Sequence, residues 1–194
     1  MTAAKQIDLV SVADYLAGEL VSDIKHEYSG GYVYAMAGAK NIHNRIATNW
    51  RLALGQRLRG KPCEPFNSDT KVRIRFPTHT RFYYPDGMAV CEPNSADETF
   101  QDKPVVIAEV VSDATRRIDE GEKREAYLTI PTLAAYLLIE TGRPRVVVHR
   151  RTDSGVVAEA YEGAAAVVPL DAIDAELPLA ELYERVEFGS GEGS

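Results

Sequence analysis

The stretch from Pro104 to Val111, PVVIAEVV, constrains the fold most, because it is almost wholly apolar and contains one charged residue, Glu109. A short run this rich in β-branched residues is typical of a strand buried within a sheet. A carboxylate in such a strand costs several kcal/mol unless something compensates for its charge. The stretch therefore predicts a buried sheet, and it makes Glu109 either a functional acid or an acid at the strand end that binds an arginine or a backbone N–H.

The rest of the chain alternates between stretches with the periodicity of an α-helix and stretches with that of a β-strand. Helices are predicted at 12–20, with Ser11 as N-cap and Asp14 in the capping box, at 41–59, at 120–129 with Asp119 as N-cap, and near 179–186. Strands are predicted at 32–36, 71–75, 88–90, 104–111, 134–139 and 146–149, with further short strands before the last helix. This order predicts one α/β domain over residues 8–187, with a mixed β-sheet flanked by helices, and a flexible tail over 188–194.

Composition sets limits on partners and location. The net charge is −7, from 22 Lys and Arg against 29 Asp and Glu, which disfavours a general nucleic-acid coat but not a nuclease with a local basic face. Basic residues do gather in two groups, each member more typical of a solvated face: Arg45, Arg51, Arg57, Arg59 and Lys61, and then Arg73, Arg75 and Arg81. Cys63 and Cys91 suggest no disulfide framework, and neither a secretory signal nor a membrane-length apolar run is seen, so we expect a cytoplasmic protein with no membrane partner.

Two acids are candidates for a metal site. Asp86 follows Tyr83-Tyr84-Pro85 just before one predicted strand, and Glu109 lies inside the next long strand. A divalent cation would compensate for a buried carboxylate, and carboxylates from neighbouring strands commonly hold Mg²⁺ through oxygen. Pro-Asp also begins turns, so the pair Pro85-Asp86 is a weak signal alone.

The residues from Pro85-Asp86 to Glu109 resemble the signature of the PD-(D/E)XK nucleases. Over residues 8–187 the chain more narrowly resembles the Uma-type restriction endonuclease family. The matching stretches are Glu27, Gly30-Gly31-Tyr32, Tyr34-Ala35-Met36-Ala37-Gly38, Asn41-Ile42-His43, Tyr83-Tyr84-Pro85-Asp86, Ile107-Ala108-Glu109-Val110-Val111-Ser112, Thr115, Asp119-Glu120-Gly121-Glu122-Lys123, Tyr127, Leu133-Ala134-Ala135-Tyr136 and Leu177-Pro178-Leu179-Ala180-Glu181-Leu182-Tyr183.

The resemblance implies a restriction-endonuclease-like core that cleaves DNA with Mg²⁺ or Mn²⁺, and by analogy a homodimer. It implies Asp86 and Glu109 as metal ligands and catalytic residues, and Glu27 as a supporting third acid. The lysine expected two residues after Glu109 is replaced by Val111, and Lys123 in the next helix would supply the catalytic cation instead. The helical spacing places His43 on an apolar face, where a buried, hydrogen-bonded histidine is the ordinary interpretation, and the resemblance adds a supporting role beside the site as the alternative.

Competing patterns are weaker. Asp69-Thr70-Lys71 is a literal acid-x-lysine triplet, but it lacks a Pro-Asp partner upstream and enters an alternating strand. The four histidines show no zinc-ligand spacing, and no phosphate-binding GxxxxGK[ST] loop occurs. Two hypotheses follow: an active endonuclease, and a catalytically weak or silent nuclease-fold module that binds DNA or a protein.

Overall fold

The computed structural model describes residues 9–188. Its helices are α1 (Val12–Glu19), α2 (Asn41–Arg57), α3 (Arg116–Ile118), α4 (Arg124–Tyr127) and α5 (Leu179–Leu182), with a short 3₁₀ turn at Asp171–Ile173. A π-helical turn, Asp119–Lys123, joins α3 to α4, so that 116–127 is one continuous helical segment. No helix within the described residues is long and apolar enough to cross a membrane.

The strands are β1 (His26–Ser29), β2 (Tyr32–Ala35), β3 (Glu64–Asn67), β4 (Lys71–Arg75), β5 (Thr80–Tyr83), β6 (Gly87–Val90), β7 (Phe100–Gln101), β8 (Pro104–Val111), β9 (Ala135–Glu140), β10 (Arg145–Thr152), β11 (Gly155–Glu162), β12 (Val167–Leu170) and β13 (Ala175–Pro178). They form a six-stranded sheet in the order β11-β10-β9-β8-β6-β3, a five-stranded sheet in the order β2-β1-β5-β4-β7, and the pair β12-β13. The prediction of an α/β fold with mixed β-structure and flanking helices is confirmed, although the strands divide between sheets.

Strand β8 lies inside the six-stranded sheet, antiparallel to β6 and parallel to β9. One of its faces packs against α2, where Ala108 and Val110 share a core with Trp50. Its other face, with Ile107 and Val111, shares a core with α4 and with the five-stranded sheet. Because side chains alternate along a strand, Glu109 points to this second face, between the two sheets.

Two local predictions need correction. Asp119 is not an N-cap but a buried residue within the helical segment, which already begins at Arg116. The last helix is four residues long rather than eight, because the chain leaves it at Tyr183. The flexible tail predicted for 188–194 lies, from residue 189 onward, outside the described residues.

The cysteine prediction is wrong, because Cys63 and Cys91 form a disulfide. Strands β3 and β6 are antiparallel with Glu64 opposite Val90, which brings the two cysteines together although they are 28 residues apart in the chain. The expectation of a cytoplasmic location therefore loses the support that it took from the cysteines, since disulfides persist mainly in oxidising compartments.

Helix α2 packs directly on the strand that follows Asp86. A Cβ atom added to Gly87 would lie 2.4 Å from Trp50 Cζ3 and 2.5 Å from Cε3, so only glycine allows the indole to sit against the backbone of β6. Trp50 is buried and surrounded by the core, so it has no room to move away.

We predict that Gly87→Ala lowers the free energy of unfolding by about 1–3 kcal/mol, as overpacking of a filled core does. Urea denaturation followed by tryptophan fluorescence measures the change. Gly142→Ala is the matched control, since nothing lies within 4 Å of a Cβ at that position. An equal effect of both substitutions would contradict this packing.

Candidate functional site

Glu109 is a buried carboxylate held by groups from the facing helix. Its side chain is 4 % exposed. Lys123 Nζ lies 3.2 Å from Glu109 Oε1, and the Tyr127 hydroxyl donates to the same oxygen at 2.8 Å. Glu109 lies within β8 rather than at its end, and its charged partner is Lys123 rather than an arginine. That Glu109 is a functional acid stays a prediction.

Asp86 lies beside Glu109 because of the strand register. Gly87 pairs with Ala108, so the residue before β6 is adjacent to the middle of β8. The Val110 backbone N–H donates to Asp86 Oδ2 at 2.7 Å, and the Asp86 N–H lies 3.4 Å from Glu109 Oε2. The two predicted acids are therefore neighbours, tied together through the backbone.

Lys123 connects the two sheets. Its ammonium lies 3.0 Å from Glu27 Oε1 on the five-stranded sheet and 3.2 Å from Glu109 Oε1 on the six-stranded sheet. A third carboxylate, Asp119, lies 3.9 Å away on the same π-helical turn. π-Helical turns within helices occur frequently at functional sites. Sequence reasoning missed Asp119 because Asp before a helical pattern is an ordinary N-cap signal.

Glu27 and His43 reach the same cluster, from the first hairpin and from α2. Glu27 Oε1 also lies 3.4 Å from the Tyr84 N–H, which ties it to the segment before Asp86. His43 Nε2 lies 3.1 Å from Asp86 Oδ2, while its Nδ1 is buried with no hydrogen-bond partner among the described residues. The structure thus brings together all five predicted site residues. Their chemical roles remain predictions.

Burial and the neighbouring charges shift the pKa values of several residues in the cluster. Burial raises the pKa of Glu109 well above its ordinary value, and Asp86, Asp119 and Glu27 add to this increase, whereas Lys123 opposes it. Burial likewise raises the pKa of Asp119, against the effect of Lys123. For Lys123, burial lowers the pKa but the carboxylates of Glu109, Glu27 and Asp119 outweigh it, so the net change is upward. Lys123 is therefore a permanent cation at neutral pH.

The donor chemistry of the cluster fits a hard divalent cation. Its side chains offer four carboxylates, from Glu27, Asp86, Glu109 and Asp119, and oxygen ligands are those that Mg²⁺ and Mn²⁺ prefer. The contacts described above engage Asp86 through Oδ2 and Glu27 through Oε1. Within residues 9–188 no three or more acidic, histidine or cysteine side chains already enclose a metal-sized position, and the Lys123 ammonium lies among the carboxylates.

The competing triplet Asp69-Thr70-Lys71 has different partners. Asp69 pairs with Lys25 at 2.5 Å. Lys71 is buried and donates to the Tyr84 hydroxyl at 3.0 Å. The two side chains therefore form no joint acid-and-lysine centre, and Lys71 lies at the start of an alternating strand, as expected.

Most members of the two groups of basic residues are engaged in ion pairs. Five of the eight pair with carboxylates: Arg57 with Glu181, Lys61 with Asp174, Arg73 and Arg75 with Asp102, and Arg81 with Glu122. For these five residues the contacts are consistent with the expectation of a charged face.

Comparison with known proteins identifies the fold and the family of this chain. The fold matches the crystal structure of a putative nuclease belonging to DUF820 from Anabaena variabilis, with a TM-score of 0.66 and 15% sequence identity, over 84% of this chain and 91% of that one. It is a nuclease-like α/β fold. Two uncharacterized proteins of Synechocystis are each 32% identical, over 148 residues (75% of this chain and 76% of the relative) and over 135 residues (68% and 75%). The chain belongs to the Uma2 family, described as putative restriction endonuclease, whose sequence model matches residues 12–181, and the resemblance seen in the sequence is confirmed.

We predict that Glu109→Gln becomes more stable relative to the wild type as pH rises. Because folding raises the pKa of Glu109, its stabilising contribution is present below the ordinary carboxyl pKa of about 4.5 and is lost as pH increases. The neutral amide does not suffer this loss. Urea denaturation of both proteins between about pH 4.5 and pH 8 measures the difference.

Glu140→Gln provides a control of opposite sign. The Arg116 guanidinium, 2.6 Å away, lowers the pKa of Glu140, so that pair stabilises the protein at neutral pH and its contribution is lost in acid. If Glu109→Gln behaved like Glu140→Gln and lost the most stability at pH 8, the unfavourable burial of the Glu109 charge would be refuted.

Proposed function

We propose that the protein is a metal-dependent endonuclease that hydrolyses phosphodiester bonds of DNA. The observation that carries the proposal is the cluster formed by a buried acid, a buried lysine and a half-buried acid just before the adjacent strand: Glu109, Lys123 and Asp86. Several like charges in one buried place are unfavourable for folding, and such perturbed groups concentrate at functional sites. Membership of the Uma2 family supports the same activity.

In this proposal Asp86 and Glu109 hold the cation, and their neighbours keep them in place. The Val110 N–H and His43 orient Asp86, and the Tyr127 hydroxyl orients Glu109. Glu27 supports the cluster from the opposite sheet. A bound Mg²⁺ or Mn²⁺ would polarise the scissile phosphate and lower the pKa of the attacking water.

Lys123 contributes a fixed positive charge. A charge that is already in position when negative charge develops on the phosphate lowers the barrier without reorganisation, which is the main advantage of a preorganised site. The Lys123 ammonium is held by three carboxylates and its pKa is raised, so it acts as a cation and not as a general base at neutral pH.

We predict that Asp86→Asn abolishes Mg²⁺- or Mn²⁺-dependent cleavage of supercoiled plasmid DNA and of circular single-stranded DNA, because the amide removes a charged ligand. The fold should persist, since Asn retains an oxygen for the Val110 N–H. Gel analysis of nicked and linear products measures cleavage, and circular dichroism checks the fold. Asp69→Asn is the matched control, as Asp69 belongs to the competing triplet and pairs only with groups outside the cluster.

Full cleavage by Asp86→Asn would refute the assignment. Loss of cleavage in Asp69→Asn with activity retained in Asp86→Asn would move the site to the triplet. No cleavage by the wild-type protein with either metal would favour the other hypothesis, a nuclease-fold module that binds DNA or a protein without cutting.

A further inference from the structure

Two tyrosines of the edge strand β2 lie on the same face of their sheet as Glu27. In the antiparallel register Tyr34 is directly opposite Glu27, and Tyr32 is directly opposite Ser29. Residues directly opposite each other project to the same side, and residues two apart in a strand share a face. We call Tyr32 and Tyr34 the aromatic wall.

The aromatic wall is open, although the remainder of that face is covered. On the neighbouring strands, Val72, Ile74 and Tyr83 are buried against Ala126, Tyr127 and Ile130 of the helical segment and the turn after it. Tyr32 is 47% exposed and Tyr34 is 56% exposed. The helical segment thus stops short of β2, and two aromatic rings face solvent at the border of the acid cluster.

The wall is continuous with the acid cluster through one residue pair. Side chains directly opposite in an antiparallel pair have Cβ atoms about 5 Å apart, so Tyr34 is in contact range of Glu27. Glu27 in turn lies 3.0 Å from Lys123 Nζ. A phosphate held at Lys123 would therefore leave the adjacent nucleotide within reach of Tyr34.

The charges described near the aromatic wall favour recognition of a nucleotide through its base over recognition through its backbone phosphates. The protein has a net charge of −7, and Arg81, the cation in the row of Tyr32 and Ser29, is paired with Glu122. Binding a duplex by its phosphates needs clustered cations. Stacking on an aromatic ring works without them and tolerates any base, but the base must be unpaired.

We propose that the aromatic wall stacks a base next to the scissile phosphate, so that the preferred substrate is a single-stranded or locally unpaired nucleic acid. This inference rests on the proposed function, because it uses the same centre. Tyr34 is the main stacking residue, and Tyr32 extends the stacking surface along β2.

The test is fluorescence anisotropy with a labelled single-stranded oligonucleotide and with the same sequence as a blunt duplex. Ca²⁺ replaces Mg²⁺, and a denaturing gel verifies that the oligonucleotide is intact. We expect tighter binding of the single strand, a loss of about 10-fold or more for Tyr34→Leu, and a change of less than about 3-fold for Tyr34→Phe, which keeps the ring. Tyr161→Leu, the same substitution on β11 at the edge of the other sheet, should bind like the wild type.

The outcomes separate this inference from the proposed function. Unchanged single-strand binding by Tyr34→Leu in an enzyme that cleaves DNA overturns the wall and leaves the function intact. Ring-dependent binding without any cleavage supports the wall and counts against the function. If the duplex binds more tightly than the single strand, or if light scattering shows that Tyr34→Leu only converts a dimer to a monomer, the wall is not a nucleotide site.

Discussion

The contact between Lys123 and Glu109 is the interaction on which the site depends. It joins the central strand of one sheet to a helix, and through Glu27 the same ammonium reaches the second sheet. Removing one partner of a buried ion pair leaves an uncompensated charge, which costs far more than a surface pair is worth. Position, charge and burial are therefore fixed together at the point where the two sheets and helix 116–127 meet.

The surrounding elements hold these charged side chains in the interior although their burial is unfavourable. The π-helical turn places Asp119 and Lys123 at the same centre, and Tyr127, one turn later, donates to Glu109. On the other side, the absence of a side chain at Gly87 lets Trp50 hold α2 against β6, next to Asp86. The raised pKa values of Glu109 and Asp119 show that the arrangement is not optimal for stability. Such a conflict is expected where function sets the choice of residues.

The sequence predicted those features of the structure that depend on residues close together in the chain. The apolar run identified β8 and its unusual Glu109, the family resemblance singled out Lys123 in the next helix, and Ser11 caps α1 as expected. Contacts between segments that are distant in the chain were not predicted. The register of β3 and β6 that forms the disulfide, the division into separate sheets, and the burial of Asp119 depend on segments that are distant in the chain. Asp119 carried a signal, its position four residues before Lys123, but the N-cap pattern explained it more simply.

The claim that the Lys123 ammonium acts at the scissile phosphate is tested most directly by comparing two lysines. Both Lys123 and Lys71 are buried, and methionine at either position keeps the length of the side chain while removing its charge. The rate of plasmid nicking with Mn²⁺ should fall by about 100-fold or more in Lys123→Met, as loss of a preorganised charge does, and stay near the wild-type rate in Lys71→Met. Normal nicking by Lys123→Met, together with a loss in Lys71→Met, would contradict the account and place the centre at Asp69-Thr70-Lys71.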